Sequence, residues 1–351
     1  MSEKTNTGNF FEDFELGQEI DHATPRTLTE GDVALYTSLY GTRFALNSSD
    51  ALASDLGLPG APIDDLLVFH TVFGKTVPDI SLNAVANLGY ARGVFGVPVY
   101  PGDTLSARSE VIGLKENSNG KAGVVYVRST GRNQDDEVVL EYVRWVMVSK
   151  RSSDAPARKP TIPRLPAAVD VEDLFAPFLR NPDRYTAEIS GSPHFWGDYQ
   201  CGERIDHMDG MTIEEAEHMI ATRLYQNTAK VHFNQYEQQA GRFGKRLIYG
   251  GHIVSLARAL SFNGLANAFK IAAINGGAHT NPTFGGDTIY AWSEILEKFE
   301  IPGCEDFGAL RVRTVASKDQ PCGTFPDKNS DGKPLSSVVL DFDYTVLMFR
   351  R

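Results

Sequence analysis

Imidazole, carboxamide and bare backbone amides fall close together between residues 227 and 251. His232 ends the run Asn227-Thr228-Ala229-Lys230-Val231-His232, and eighteen residues later Gly250-Gly251 opens a long apolar stretch. A histidine can take up and return a proton near neutral pH. Two glycines at a helix start leave the first amides bare, and the helix dipole adds partial positive charge there. Such amides suit the charge carried by an enolate or thioester oxygen. Asn227 can hydrogen-bond but cannot exchange a proton at neutral pH. Neither serine nor cysteine lies between 227 and 251 to act as a nucleophile. The same residues also fit a plainer role. His232, between Val231 and Phe233, can be a packed core histidine with one ring nitrogen hydrogen-bonded, and the glycine pair can serve a tight turn.

The elements that would position these groups come from a duplication, with a shift of 185 residues near the start of each half. Phe10, Asp13, Gly17, Ile20, Asp21, His22, Thr27, Glu30, Leu39 and Tyr40 match identical residues from Phe195 to Tyr225. Gly102-Asp103-Thr104 recurs as Gly286-Asp287-Thr288, and Ser109-Glu110 as Ser293-Glu294. Each copy opens with a helix for which Thr27-x-x-Glu30 and Thr212-x-x-Glu215 predict capping boxes. A second helix, over 65–77 and 251–265, is apolar nearly all round and must be enclosed by other structure. Alternating runs such as Val124 to Arg128, Val138 to Val148, Leu310 to Thr314 and Val338 to Met348 predict the enclosing strands. The expected fold is α+β, a tandem (double) hot-dog, each half an antiparallel sheet wrapped around a buried central helix. Its domains are residues 10–150, with a degenerate site, and 186–351, carrying the catalytic loop, joined by a proline-rich linker over 151–185. Twinned copies should join their sheets and place sites where they meet.

What both copies keep is expected to be structural, so Asp21-His22 and Asp206-His207 are set aside. In the loop between the helices Asn47 faces His232 and Thr42 faces Asn227, so only the second copy titrates there. Asp65 faces Gly250, where a carboxylate would repel an oxyanion. From Met219 to Gly285 the chain holds Arg223, Lys230, Arg242, Lys245, Arg246, Arg258 and Lys270 against one acid, Glu237. In a protein of net charge −11 such an island points to an anionic ligand or to a solvated basic surface.

The same net charge makes nucleic acid and anionic membrane poor partners, and no hydrophobic run reaches membrane-spanning length. A cytoplasmic protein is expected. Cys201, Cys304 and Cys322 lack pairing logic, and no histidine or cysteine spacing suggests a metal.

The stretches quoted resemble the MaoC-like dehydratase family of hot-dog proteins, which includes the R-specific enoyl-CoA hydratases. In that family an Asp-x-Asn-Pro-x-His loop precedes a His-Gly at the start of the buried helix. Here the loop corresponds to Asn227-x-Ala229-Lys230-x-His232, with asparagine where most members have aspartate. The resemblance implies that His232 is the catalytic acid-base, that the Gly250 amide serves the oxyanion hole, and that Asn227 holds the water. RLYQNTAKVHFN, YGGHIVSLARALSFNGLANA, NPTFGGDTIYAWSEIL and APIDDLLVFHTVFGKTVPDISLNA narrow it to the members that hydrate mesaconyl-CoA (2-methylfumaryl-CoA) reversibly to β-methylmalyl-CoA. Coenzyme A would then be part of the substrate, with no separate cofactor. Its phosphates and the substrate's free carboxylate would draw on Arg223, Lys230, Arg242, Lys245 and Arg246, with Gly251 and His252 lining the site. The fold also serves thioesterases and other enoyl-thioester hydratases, and a degenerate copy fits an acyl-CoA binding protein. A homodimer of the doubled unit is expected.

Overall fold

A computed structural model of the chain describes residues 4–152, 159–177 and 179–350; part of the expected linker, 153–158, lies outside them. In the first half, β1 (Glu19–Thr27) leads to α1 (Glu30–Tyr40) and to the central helix α2 (Asp65–Thr76). The strands β2 (Ala84–Phe95), β3 (Thr104–Glu116), β4 (Ala122–Arg132) and β5 (Val138–Ser149) follow. The second half repeats the order with β6 (Arg204–Thr212), α3 (Glu215–Leu224), α4 (Gly250–Leu260), β7 (Ala268–His279), β8 (Thr288–Glu300), β9 (Phe307–Lys318) and β10 (Val338–Phe349). All ten strands form one antiparallel sheet in the order β1-β3-β4-β5-β2-β7-β10-β9-β8-β6. The order reads the same from either end once each strand is replaced by its duplicate. The halves join where β2 pairs with β7, Tyr90 opposite Gly277. This is the double hot-dog.

Both central helices are wrapped as their composition requires. Every residue of α2 from Leu66 to Thr76 is buried, and α4 is buried from Gly251 to Arg258. The predicted run to 265 is interrupted at Asn263 and Gly264, which leave helical geometry; Gly264 has φ +117°. Residues equivalent under the duplication also touch each other across the junction. Tyr40 and Tyr225 share a hydrogen bond of 2.7 Å, and His70 Nε2 lies 2.9 Å from Ser255 Oγ. Symmetry mates in contact must lie on the symmetry axis, so a pseudo-twofold passes between these side chains.

The capping boxes need correction. Thr29, not Thr27, caps α1, accepting from the Asp32 amide, while the Asp32 carboxylate accepts from the Thr29 amide. Helix α3 has Glu214 at its N-cap position and no side-chain cap. Thr27 and Thr212 end their strands instead, their hydroxyls paired with Thr104 at 2.7 Å and Thr288 at 2.8 Å. The recurrent Gly-Asp-Thr motif is thereby explained. Gly102 and Gly286 adopt φ of +104° and +95°, and each aspartate caps its own turn. In the connecting segment Thr161 bridges to Leu114, the Val169 amide donates to Asn275, and Tyr185 stacks on Phe349 at 4.1 Å.

Candidate active site

The two Asp-His pairs retained by both copies hold structure together. His22 Nε2 bonds Ser109 Oγ at 2.8 Å, and Ser109 bonds Ser129; His207 Nε2 bonds Ser293 at 2.8 Å, and Ser293 bonds Thr314. Each imidazole fastens an outer strand to its neighbours.

The loop of the second copy is organised differently. Asn227 Oδ1 accepts from the Ala229 amide at 3.0 Å, and the Ala229 carbonyl accepts from the His232 amide at 3.0 Å. These two bonds fix Asn227 at the head of the short turn Lys230–His232. Asn227 is 5% exposed, and its Nδ2 makes no hydrogen bond to the described residues. His232 is partly exposed, and its Nδ1 lies 2.9 Å from the Leu247 carbonyl. A carbonyl only accepts, so Nδ1 carries the proton and Nε2 presents its lone pair. The surrounding protein pushes the ring down to about pKa 4, burial outweighing the opposing effect of the Leu247 carbonyl. The Leu247 amide in turn donates to Val231. The histidine is thus tied on both sides to the strand of chain that enters α4.

Two residues further on, the Tyr249 amide donates to His218 Nε2 at 3.0 Å. Gly250 and Gly251 then open α4, and neither amide has a hydrogen-bond partner among the described residues. The ring of His279 lies against Gly250, 2.5 Å from where a Cβ would stand. The first half closes the other side. Gly74 of α2 brings its backbone so near the Tyr225 carbonyl that any Cβ would collide with it. His70 packs against Gly251 and lies tilted against Tyr225 with ring centroids 4.5 Å apart.

Five histidines therefore surround the entry to α4: His70 from the first half, and His218, His232, His252 and His279 from the second. Sequence reasoning named only His232 and His252. The duplication would have found His218 and His279, because Val33 matches His218, and Phe95 ends β2 where His279 ends β7. Burial lowers His218 and His252 to about 3, and His279 to about 4 with the His232 charge adding to it. His252 Nδ1 bonds Tyr40 at 2.9 Å and is 1% exposed.

The basic island is dispersed by folding. Lys270 pairs with Asp65 at 2.9 Å, which also accepts from the Ile271 amide, and Arg258 lies buried over Phe44. Arg246 pairs with Glu215. Arg223, Lys230, Arg242 and Lys245 are exposed; Lys245 rests over Phe284 and Arg242 over Phe243.

A Gly250→Ala variant is expected to lower turnover at least tenfold while melting within a few degrees of the parent. The methyl must displace the His279 ring, which is only half-buried and held by one long hydrogen bond, 3.3 Å from the Tyr90 hydroxyl. Steady-state kinetics beside a thermal melt would check it; unchanged turnover would separate this helix start from the chemistry.

A double hot-dog whose second central helix starts with two bare glycine amides, packed about by imidazoles, places the chain in the MaoC-like class. Residues 1–325 match the family described as mesaconyl-CoA hydratase. A β-methylmalyl-CoA dehydratase of Chloroflexus aurantiacus is 68% identical over 100% of both chains. The solved structure of a putative MaoC domain dehydratase from C. aurantiacus superposes with a TM-score of 0.98 at 68% identity, covering 100% of each chain. A Mycobacterium tuberculosis protein described as a double hotdog fold superposes with a TM-score of 0.74 at 27% identity over 97% of this chain and 99% of its own. The chain belongs to the mesaconyl-CoA hydratase family and is an enzyme of the hydro-lyase class. No helix among the described residues is long and apolar enough to cross a membrane.

Proposed function

We propose that the protein adds water reversibly to the double bond of mesaconyl-CoA, giving β-methylmalyl-CoA, at the site between His232 and the start of α4. The observation that carries this reading is the tautomer of His232. With Nδ1 committed to the carbonyl of Leu247, three residues before Gly250, the Nε2 of His232 is left as a base on a ring anchored to the segment that leads to the bare Gly250 amide. Water held by Asn227 Nδ2 gives its proton to Nε2 as its oxygen attacks Cβ. The electron pair of the double bond moves through Cα onto the thioester oxygen, where the Gly250 and Gly251 amides receive it. The enolate then takes the proton back from His232 at Cα, on the face where water was bound, and the ring ends as it began. Coenzyme A enters as part of the substrate, and the exposed cations of residues 223–246 suit its phosphates.

Mixing mesaconyl-CoA with the purified protein tests the proposal. Absorbance of the conjugated double bond should fall while the thioester stays intact; release of free thiol, or no change, would refute it. An Asn227→Asp variant should keep turnover within about tenfold, since the carboxylate can hold the same water. Asn227→Ala should lose about 10- to 100-fold in kcat with KM little altered. If the alanine variant turns over like the parent, Asn227 does not orient the water.

A further inference from the structure

Arg144, on β5, is 0% exposed, and no carboxylate among the described residues pairs with it. Its guanidinium donates to Thr76 Oγ1 at 2.7 Å and to Ser81 Oγ at 3.3 and 3.4 Å, and lies 4.3 Å over the ring of Phe73. Its Nε has no partner. Hydroxyls and the C-terminal end of α2 offset part of the cost of burying the charge. They supply no counter-ion, and an uncompensated ion in a protein interior costs several kcal/mol. The groups that its charge feels are the phenols of Tyr142, Tyr90 and Tyr249, all held neutral by burial. The Tyr142 hydroxyl is likewise buried without a partner.

This cation lies on the face of the sheet that leads to the site. Tyr90 stands opposite Arg144 in the β2–β5 register and opposite Gly277 in the β2–β7 register. His279, two residues past Gly277, shares that face, and its Nε2 is 3.3 Å from the Tyr90 hydroxyl. The His279 ring in turn packs on Gly250. Arg144, Tyr90 and His279 therefore run in sequence from a buried, unbalanced charge to the first amide of α4. At the matching positions of the second half β10 carries Phe342 and Tyr344, so the charge belongs to the first half alone.

We infer that Tyr90 and His279, backed by the guanidinium of Arg144, seat the free carboxylate of the acyl group. The inference rests on the hydratase reading and names its specificity. In mesaconyl-CoA the free carboxylate is bonded to the carbon that water attacks, which requires its seat to adjoin both the base and the oxyanion amides. The degenerate half thereby supplies the counter-charge, and the catalytic half supplies the chemistry.

The test uses two ligands that bind without reacting. Methylsuccinyl-CoA carries the carboxylate, and 2-methylbutyryl-CoA has a methyl group in its place. Calorimetry should give the parent protein a clear preference for methylsuccinyl-CoA. Arg144→Gln should weaken that ligand at least tenfold and leave 2-methylbutyryl-CoA within about twofold, and Arg144→Lys should recover part of the preference. Equal losses for both ligands, or no preference in the parent, would overturn the seat. If Arg144→Gln does not fold, Tyr90→Phe carries the same comparison, with a several-fold selective loss expected and an equal loss overturning it. The two readings fail separately. A parent that prefers methylsuccinyl-CoA yet never hydrates mesaconyl-CoA keeps the seat and sinks the hydratase; one that hydrates without preference does the reverse.

Discussion

Replacing His232 by alanine is expected to lower kcat about a thousandfold while acyl-CoA affinity and melting temperature change little. The ring makes one hydrogen bond, to Leu247, and is partly exposed, so its removal costs about 1 kcal/mol of stability. Among the described residues its Nε2 has no hydrogen-bond partner to lose. Loss of turnover with binding preserved is what removing a base, rather than a packing residue, produces. A variant that stays within tenfold of the parent would exclude the assignment. The pH profile gives a second check. With the ring pushed down to about 4, it is neutral and able to accept a proton throughout the neutral range. kcat/KM of the parent should therefore hold steady from neutral pH to about 5 and fall as pH drops through 4. A ring that binds its proton this weakly also surrenders it readily, which favours the return of the proton to Cα.

Much of this arrangement is legible in the sequence because the chain contains its own comparison. The duplication predicts two wrapped helices and a joined sheet, and it separates His22 and His207 from the rest. Those two histidines proved to be strand fasteners, each with a serine from the recurrent Ser-Glu motif as partner. The same comparison misled at Thr27 and Thr212. A threonine three residues before a glutamate reads as a cap, but the strand runs on to that threonine and cross-strand pairing claims the hydroxyl. Spacing alone could not weigh those two uses of one side chain.

Charge was the least legible property. Residues 219–285 look like one basic island, yet Lys270 is consumed by Asp65 and Arg246 by Glu215, partners far away in sequence. Arg144, a buried cation with no carboxylate beside it among the described residues, sits in an alternating strand of the other half, where nothing local distinguishes it. Whether a charge is balanced depends on tertiary neighbours. A linear reading can therefore locate a surplus but cannot say which member of it remains free.

The second large effect concerns stability in acid. His70, His207, His218 and His252 are almost fully buried, and burial lowers them to about 3, 4, 3 and 3 from an ordinary value of 6.5. The unfolded chain binds protons at all four as pH falls through 6.5, while the folded protein does not until about 4 or below. The unfolded state thus holds more protons across that window, and stability must rise with pH there. The contribution is complete above pH 6.5 and is lost progressively as pH drops towards 3 to 4. At a tenfold weaker proton affinity for each ring, the four supply about 5 kcal/mol, comparable with the whole stability of many proteins. Asp64 opposes them, since burial and the Asp65 charge raise it to about 6, so the folded form gains a proton there first. One group cannot cancel four. Thermal melts should therefore be nearly constant from pH 7 to 8 and fall steeply between 6.5 and 4. Replacing His252 by leucine, the residue its duplicate Leu67 already supplies, should flatten that fall, because one proton fewer is taken up on unfolding. A melting temperature that holds level down to pH 4.5 would show that these rings already carry protons in the folded protein. His218 Nε2 could not then accept the Tyr249 amide, and the entry to α4 would have to be held by something else.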